Sequence, residues 1–513
     1  MKRRARTVAL TLPLATVFAV LGWPQERRDE ARTRDVQGVA LAEAGRIAEA
    51  VEQFRAALEL DPAYPEAVYH LALADERAGR TDEAMALAEN ALRLSSDFTA
   101  ARYLLAACCR KRGDFEGELR LLEKVAASAP DFAEARYNYG LGLQREQRFV
   151  EAVEELRAAA RLDPKNGRYV LALGVVLANR NNDEALSVLR AAVELAPSDS
   201  ESHYNLALAL AASGAATEAI REFEAAVRFN PRHAAARRGL GITWMHEDKL
   251  DASVEELRRA IRDAPRDEEA ANNLGLAQLR LNDVSGAIAS LKVAIELNPQ
   301  LIKAHFNLAQ AYRRAGRLDD SRRETERAGV LTAEQRSVGQ AMVLVQFARQ
   351  RLQSGDRGGA LSALRDAVAA SPGFADGHLA LGLAILETGG EVPTAVREFR
   401  VVLNLDPERA EAHYRIGLAL LKTDQKTALE ELRAASSMAP CRVEIMRALA
   451  TAAFDAGDWS TAAAQFRRIL AWSPMDKEAL IQLERVRAHS PGSPPAVLDP
   501  GNQKHDNTFS PRR

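Results

Sequence analysis

Proline recurs along this chain with a period that few folds can sustain. Pro130, Pro164, Pro197, Pro231, Pro265 and Pro299 stand 34, 33, 34, 34 and 34 residues apart. Two steps back from Pro130 lies Pro62, with Ser96 at the place between; further on, Pro372, Pro407, Pro440 and Pro474 are spaced 35, 33 and 34. A length of 513 residues exceeds what one hydrophobic core organises. The repeat therefore decides the count: this is an array of one small unit, not a set of unlike domains.

Each period carries a second pattern. About twenty-four residues before each proline stands a small residue in an apolar segment: Gly38, Ala72, Ala106, Gly140, Gly174, Ala207, Gly241, Gly275, Ala309, Ala348, Gly382, Gly417 and Ala450. About twelve residues on comes another (Ala50, Ala84, Ala152, Ala219, Ala287, Ala360, Ala462), then a bulky apolar residue such as Phe54, Phe223, Phe399 or Phe466, or Leu in other repeats. Small residues let two helices approach closely, and the bulky ones fill the adjoining holes. Aromatics are only 5% of the chain, and Ala and Leu dominate, which favours helix over strand. Turns such as Ala44-Gly45-Arg46 and Arg112-Gly113-Asp114 end the first helix with a residue able to take positive φ. Leu60-Asp61-Pro62 and Leu162-Asp163-Pro164 end the second.

This large-to-small alternation at a 34-residue period resembles the tetratricopeptide repeat (TPR) motif. The resemblance implies an all-α fold, an α-solenoid of about thirteen helix-turn-helix repeats wound as a right-handed superhelix, with the first helices lining its concave wall. Repeats one to nine are expected over 31–335, ten to thirteen over 336–476, and a polar capping helix over 477–487. Pro299 and Pro372 are 73 residues apart, and Thr332-Ala333-Glu334-Gln335 reads as a capping box opening a new helix there. A joint near residues 331–340, or a plain helix extension, follows. Glu118 sits at a small-residue site and should loosen the third repeat, and the fifth repeat loses one residue in its turn.

Outside the array, Lys2, Arg3, Arg4 and Arg6 precede an apolar run from Val8 to Gly22. Residues 1–22 therefore read as a secretory signal peptide or, if uncleaved, a membrane anchor. Export to the periplasm or beyond is the expected localisation, with membrane contact only through that segment. Residues 488–513, rich in Pro, Gly, Asn and Ser, are expected to be disordered. Three cysteines, Cys108, Cys109 and Cys441, do not look like a disulfide framework, and Cys108 and Cys109 read as small buried hydrophobes. With 69 basic and 71 acidic residues and no basic stripe, nucleic acid is not an expected partner.

No catalytic, metal or cofactor constellation emerges. His246-Glu247 does not continue into HExxH, and neither GxxxxGK[ST] nor GxSxG occurs. His203, His305, His378 and His413 share one repeat position and read as packing residues. A non-enzymatic scaffold or adaptor of the cell envelope follows, binding protein or peptide segments in the groove, with no small-molecule substrate. The alternative is an accessory or substrate-presenting subunit of an envelope enzyme such as a glycosyltransferase. By register, the groove is expected to expose Tyr137, Asn138, Leu141, Tyr204, Asn205, Leu208, Ile242, Asn273, Leu276, Phe306 and Asn307. The asparagines are similar to the ladder of O-linked N-acetylglucosamine transferase arrays, whose side-chain amides pair with an extended main chain; here the ladder is incomplete. Basic residues recurring at Arg77, Lys111, Arg145, Arg280, Arg314 and Lys422 read as a solvated face. The first three repeats offer Asp35, Val39, His70, Ala100 and Leu104 where chaperone-binding TPR domains need a carboxylate clamp, so chaperone tails are not expected partners.

Overall fold

The computed structural model describes residues 25–179, 182–473 and 476–489. The expected signal segment, the tail beyond residue 489, the shortened turn of the fifth repeat around 180–181, and Pro474 lie outside the described residues. Every regular element among the described residues is an α-helix, and successive helices pack as antiparallel pairs in chain order, which is an α-solenoid. The described residues form two compact units, one from residues 25–128 with 420–489 and one from residues 129–419.

The first unit holds α1 (Gln25–Glu43), α2 (Ile47–Leu60), α3 (Pro65–Arg77), α4 (Thr81–Leu94), α5 (Thr99–Lys111) and α6 (Phe115–Ser128). The second runs through α7 (Ala133–Arg145), α8 (Phe149–Leu162), α9 (Gly167–Ala178), α10 (Asn182–Leu195), α11 (Ser200–Ala212), α12 (Ala216–Phe229), α13 (Ala234–His246), α14 (Leu250–Asp263), α15 (Glu268–Arg280), α16 (Val284–Leu297), α17 (Ile302–Arg314), α18 (Leu318–Gln353), α19 (Arg357–Ala370), α20 (Ala375–Glu387), α21 (Val392–Leu405) and α22 (Ala410–Leu420). The first unit resumes with α23 (Gln425–Met438), α24 (Val443–Asp455), α25 (Trp459–Trp472) and α26 (Lys477–His489).

The marker glycines lie where helices of a pair come closest. A Cβ on Gly38 would stand 2.4 Å from the Phe54 ring, on Gly174 2.7 Å from the Leu189 side chain, and on Gly382 2.4 Å from the Phe399 ring. Phe54, Phe223, Phe399 and Phe466 are among the largest fully buried side chains. Turns between paired helices take positive φ at Gly45, Gly113 and Gly389, and also at Gln147, Asp248 and Asn282, where no glycine is present.

The capping box does not form. Helix α18 runs unbroken for 36 residues through Thr332, whose hydroxyl donates to the Ala328 carbonyl inside the helix. Thr332 lies well inside a helix that is already propagating, and such a helix gains one bond per added residue. The 73-residue interval is thus absorbed by extending one helix, and the unit boundaries fall instead after Ser128 and after Ala419.

The cysteine reading is corrected for two of the three residues. Cys109 and Cys441 form a disulfide across a sequence separation of 332, joining α5 to the turn before α24 within the first unit, while Cys108 stays a free buried thiol. The adjacent pair hid this, since neighbouring helical residues point to different faces. Around the disulfide, Asp114 accepts the Cys441 N–H at 2.8 Å and the Gly117 N–H at 2.9 Å, and a Cβ on Gly117 would meet Cys441 Cβ at 2.4 Å. Arg120 pairs with Glu444, and Glu89 receives Arg468 at 2.9–3.1 Å and the Trp472 indole N–H at 3.0 Å. Glu118, expected to loosen this repeat, is 1% exposed and lies 3.5 Å from Arg110. Gly117, one place earlier, makes its close approach to Cys441 and not to α5.

The shared histidine position proves to be a polar brace as well as a packing site. His203, His305 and His378 each hold a second-helix carboxylate (Glu222, Glu324, Glu398) at 2.6–2.7 Å and the carbonyl of the repeat proline at 3.0–3.1 Å. Arg136 and Arg237 make the same two contacts, to Glu155 and Pro130 and to Glu256 and Pro231. Arginine donates to both acceptors at once, and an imidazole donates to one of them, or to both in its protonated form.

Candidate partner-binding groove

In the second unit the first helices of neighbouring repeats approach one another, so α7, α9, α11, α13, α15 and α17 form a continuous row. All eleven expected groove residues lie on this row, and their exposure divides them. Leu208 (42% exposed) and Phe306 (47%) stand out into solvent. Tyr137, Leu141, Tyr204, Asn205, Ile242, Asn273, Leu276 and Asn307 are half-buried, and Asn138 is buried at 7%.

The tyrosines pack between repeats. The Tyr137 ring lies 5.0 Å from that of Tyr169, with the Arg168 guanidinium 5.2 Å from its centroid. Tyr204 lies 4.8 Å from His233 and 6.2 Å from Phe223. Burial raises the Tyr204 hydroxyl above the ordinary phenol value, and burial with the neighbouring Glu134 does the same for Tyr169, which donates to that carboxylate at 2.7 Å. These phenols remain neutral donors at any physiological pH.

The asparagines are partly committed to their own helices. Asn138, Asn205 and Asn273 each donate an amide N–H to the carbonyl four residues earlier, at 3.1, 2.8 and 2.8 Å. Asn307 instead reaches across repeats to the Asn272 side-chain carbonyl at 2.9 Å. Those back-bonds orient the amides, and the Asn205 and Asn273 side chains stay half-exposed beside the row.

Several recurring basic residues do more than face solvent. Lys111, Arg280 and Arg314 donate to main-chain carbonyls of Glu76, Met245 and Leu279, each 35 residues earlier, at 3.4, 2.6 and 2.5 Å. They add a donor to carbonyls in the last turn of the preceding repeat's first helix, which already accept the N–H of Gly79, Asp248 and Asn282 and where a cation is favoured. In the first unit, Asp35 accepts His70 at 2.8 Å and Tyr64 at 3.3 Å.

Exposed apolar residues on α18 escaped the sequence reading. Phe306 shares a cleft of about 690 Å³ with Leu301, Leu331 and Val338. Beyond the cleft, Met342, Val343 and Phe347 are exposed along the same helix at 54%, 68% and 44%. The signal was available as an apolar segment in a helix longer than any repeat requires, but the expected capping box divided that helix in two. Among the described residues, no group of three or more His, Cys, Asp or Glu is placed to hold a metal, and no helix is long and apolar enough to cross a membrane.

Family models agree with the repeat. A tetratricopeptide repeat model matches residues 119–167, 175–234, 217–267, 246–302 and 345–401; a second matches 76–137, and a TPR repeat model matches 38–79. Together these matches span more than half of the chain. The chain belongs to the tetratricopeptide repeat family. Solved structures similar to this TPR protein include the APC/C hetero-tetramer Cut9-Hcn1, with 16% identity over 92% of this chain and 99% of that one and a TM-score of 0.37. MamA from Desulfovibrio magneticus RS-1 is 22% identical over 32% of this chain and 94% of its own, with a TM-score of 0.31. YrrB, described as a TPR protein with an unusual peptide-binding site, is 24% identical over 43% and 96%, with a TM-score of 0.26. No curated protein matches the sequence significantly.

Proposed function

We propose that this TPR protein is an exported, non-catalytic scaffold of a bacterial cell envelope that binds a protein segment along the first-helix row of its second unit. The observation that carries the reading is the exposed apolar surface made by Phe306 beside the Val338 cleft, with exposed Met342 one turn further along the same side of α18. Exposed large apolar residues concentrated on one part of a soluble fold mark interaction surfaces more often than chance exposure. The half-buried Asn205 and Asn273 amides, on the same first-helix row, suit the main chain of an extended partner segment. The Cys109–Cys441 disulfide supports an oxidising compartment, where such bonds persist, and so agrees with an N-terminal export segment.

In-cell crosslinking tests the reading. Partner retention is compared between the native chain, Phe306→Ala, and the triple change Asn138→Ala, Asn205→Ala and Asn273→Ala. Loss of one defined envelope partner in both variants, with helicity intact, supports the scaffold. Undiminished capture removes the groove. If a single enzyme dominates the captured material, the accessory-subunit role replaces the general scaffold. N-terminal sequencing and fractionation of the expressed protein test export: an intact Met1 on soluble cytoplasmic protein overturns it.

A further inference from the structure

A cleft of about 580 Å³ opens in the first unit between α4 and α25, both second helices of their repeats. Its walls hold four charged side chains in unlike situations, together with the braced Arg468. Glu89 is consumed by Arg468 and the Trp472 indole, and Asp82 lies 3.4 Å from Arg112. Arg93 donates to the neutral side-chain carbonyl of Asn90 at 2.7 Å and has no carboxylate of its own. Arg467 makes neither an ion pair nor a hydrogen bond among the described residues. Two guanidinium groups therefore face one cleft without an ion-paired carboxylate, and the rest of the wall is apolar, from Met85, Pro440, Ala464 and Ala471.

We propose that this cleft binds a small dianionic oxyanion, a phosphoryl or dicarboxylate group on a compact organic body, between Arg93 and Arg467. Each guanidinium presents a planar fork matched to carboxylate and phosphate oxygens. The apolar wall accommodates carbon, and the partly enclosed setting strengthens charge attraction relative to open water. Burial, then repulsion from Arg467, holds the Arg93 guanidinium below its ordinary value against the smaller pull of Glu89; Arg467 is lowered by burial and by Arg487. The empty cleft is thus strained by like charge that an entering anion relieves. The ligand is one that is held, not turned over, and the site is independent of the partner groove.

The two variants and the ligand-free protein read this directly. Thermal unfolding of the full chain is followed with inorganic phosphate, succinate, acetate and sodium chloride at equal ionic strength. Phosphate or succinate should raise the melting temperature by roughly 3 °C at saturation, as linkage to a folded-state ligand requires, while acetate and chloride do not. A response to phosphate alone assigns a phosphoryl ligand, and to succinate alone a dicarboxylate. Arg467→Gln should raise the melting temperature of the ligand-free protein, by removing repulsion, and abolish the anion response. Arg93→Gln should do the same, so failure of one variant to fold leaves the other decisive. The site is overturned if neither dianion acts beyond chloride, if the response survives both substitutions, or if both variants melt lower without ligand.

Discussion

The side chain of Asp114 accepts the main-chain N–H of Cys441 at 2.8 Å, 327 residues further along the chain. Its other oxygen holds the Gly117 N–H at the start of α6, so one carboxylate caps a helix and seats a distant turn. Asp114 is buried. A buried carboxylate is tolerated where N–H donors satisfy both oxygens. This contact aligns the Cys441 turn beside Cys109, and the disulfide forms within the same unit.

Closing a long loop restricts the unfolded chain, by about 5 kcal/mol for loops beyond 100 residues in the chain-entropy treatment, with less often realised. Cys441→Ser should therefore destabilise the first unit by roughly 2–5 kcal/mol, read as an earlier urea transition. Thiol counting on denatured protein should find one reactive cysteine before reduction and three after it. Finding three before reduction would remove the disulfide.

The remaining thiol, Cys108, is pushed up to about 12 by burial first and then by Glu76. The folded state therefore keeps its proton where an unfolded chain would lose it, near pH 9. Its contribution to stability is complete below pH 9 and is lost as pH rises toward 12. With the disulfide intact, alkylation of the folded protein should stay slow at pH 9, and Cys108→Ala should flatten the alkaline fall in stability. Rapid labelling at pH 9 would contradict the burial.

The repeat was legible because its information is local. Gly174 and Leu189, or Gly38 and Phe54, meet within one helix pair, so spacing alone places them. The Cys109–Cys441 pair was not legible, because no local pattern links α5 to a turn 332 residues away. Thr332 misled for the opposite reason: a four-residue capping pattern has no force inside a helix sustained by its neighbours. At the groove, register placed all eleven residues on the first-helix row. It did not distinguish Leu208 and Phe306, which face solvent, from Asn138, which is buried. That difference depends on how adjacent repeats stack.

The brace at His305 predicts an unusual substitution hierarchy. His305 holds Glu324 at 2.7 Å and the Pro299 carbonyl at 3.1 Å, contacts that Arg237 makes in its own repeat. His305→Arg should be nearly neutral, because arginine serves both acceptors. His305→Leu leaves two acceptors without a partner and should cost about 1–3 kcal/mol. Chemical denaturation of both variants checks this, and equal losses would mean that the ring matters only for its volume.

Gly174 tests the helix-pair contact itself. A Cβ there would stand 2.7 Å from Leu189 Cγ and Cδ2, so any side chain must displace a fully buried leucine. Gly174→Leu should destabilise the second unit by about 1–3 kcal/mol through overpacking. The Leu189→Ala change should partly rescue it by returning volume. An unaltered melting curve for Gly174→Leu would place the close contact elsewhere.

Gln147 offers a gain in place of a loss. It ends α7 with φ of 59°, the conformation that Gly45, Gly113 and Gly316 adopt at equivalent turns. A side chain in this region costs roughly 1 kcal/mol through its Cβ, and glutamine lacks the short polar group that lets Asn282 or Asp248 tolerate it. Asp248 also pairs with Arg280 at 2.9 Å, so its replacement would lose one contact while relieving another. Gln147→Gly carries no such loss of an ion pair, and glycine's added freedom in the unfolded chain opposes only part of the relief. Stability should rise by about 0.5–1 kcal/mol, with the far-ultraviolet spectrum unchanged. A fall in the melting temperature would show that the Gln147 side chain contributes more to this turn than its backbone strain costs.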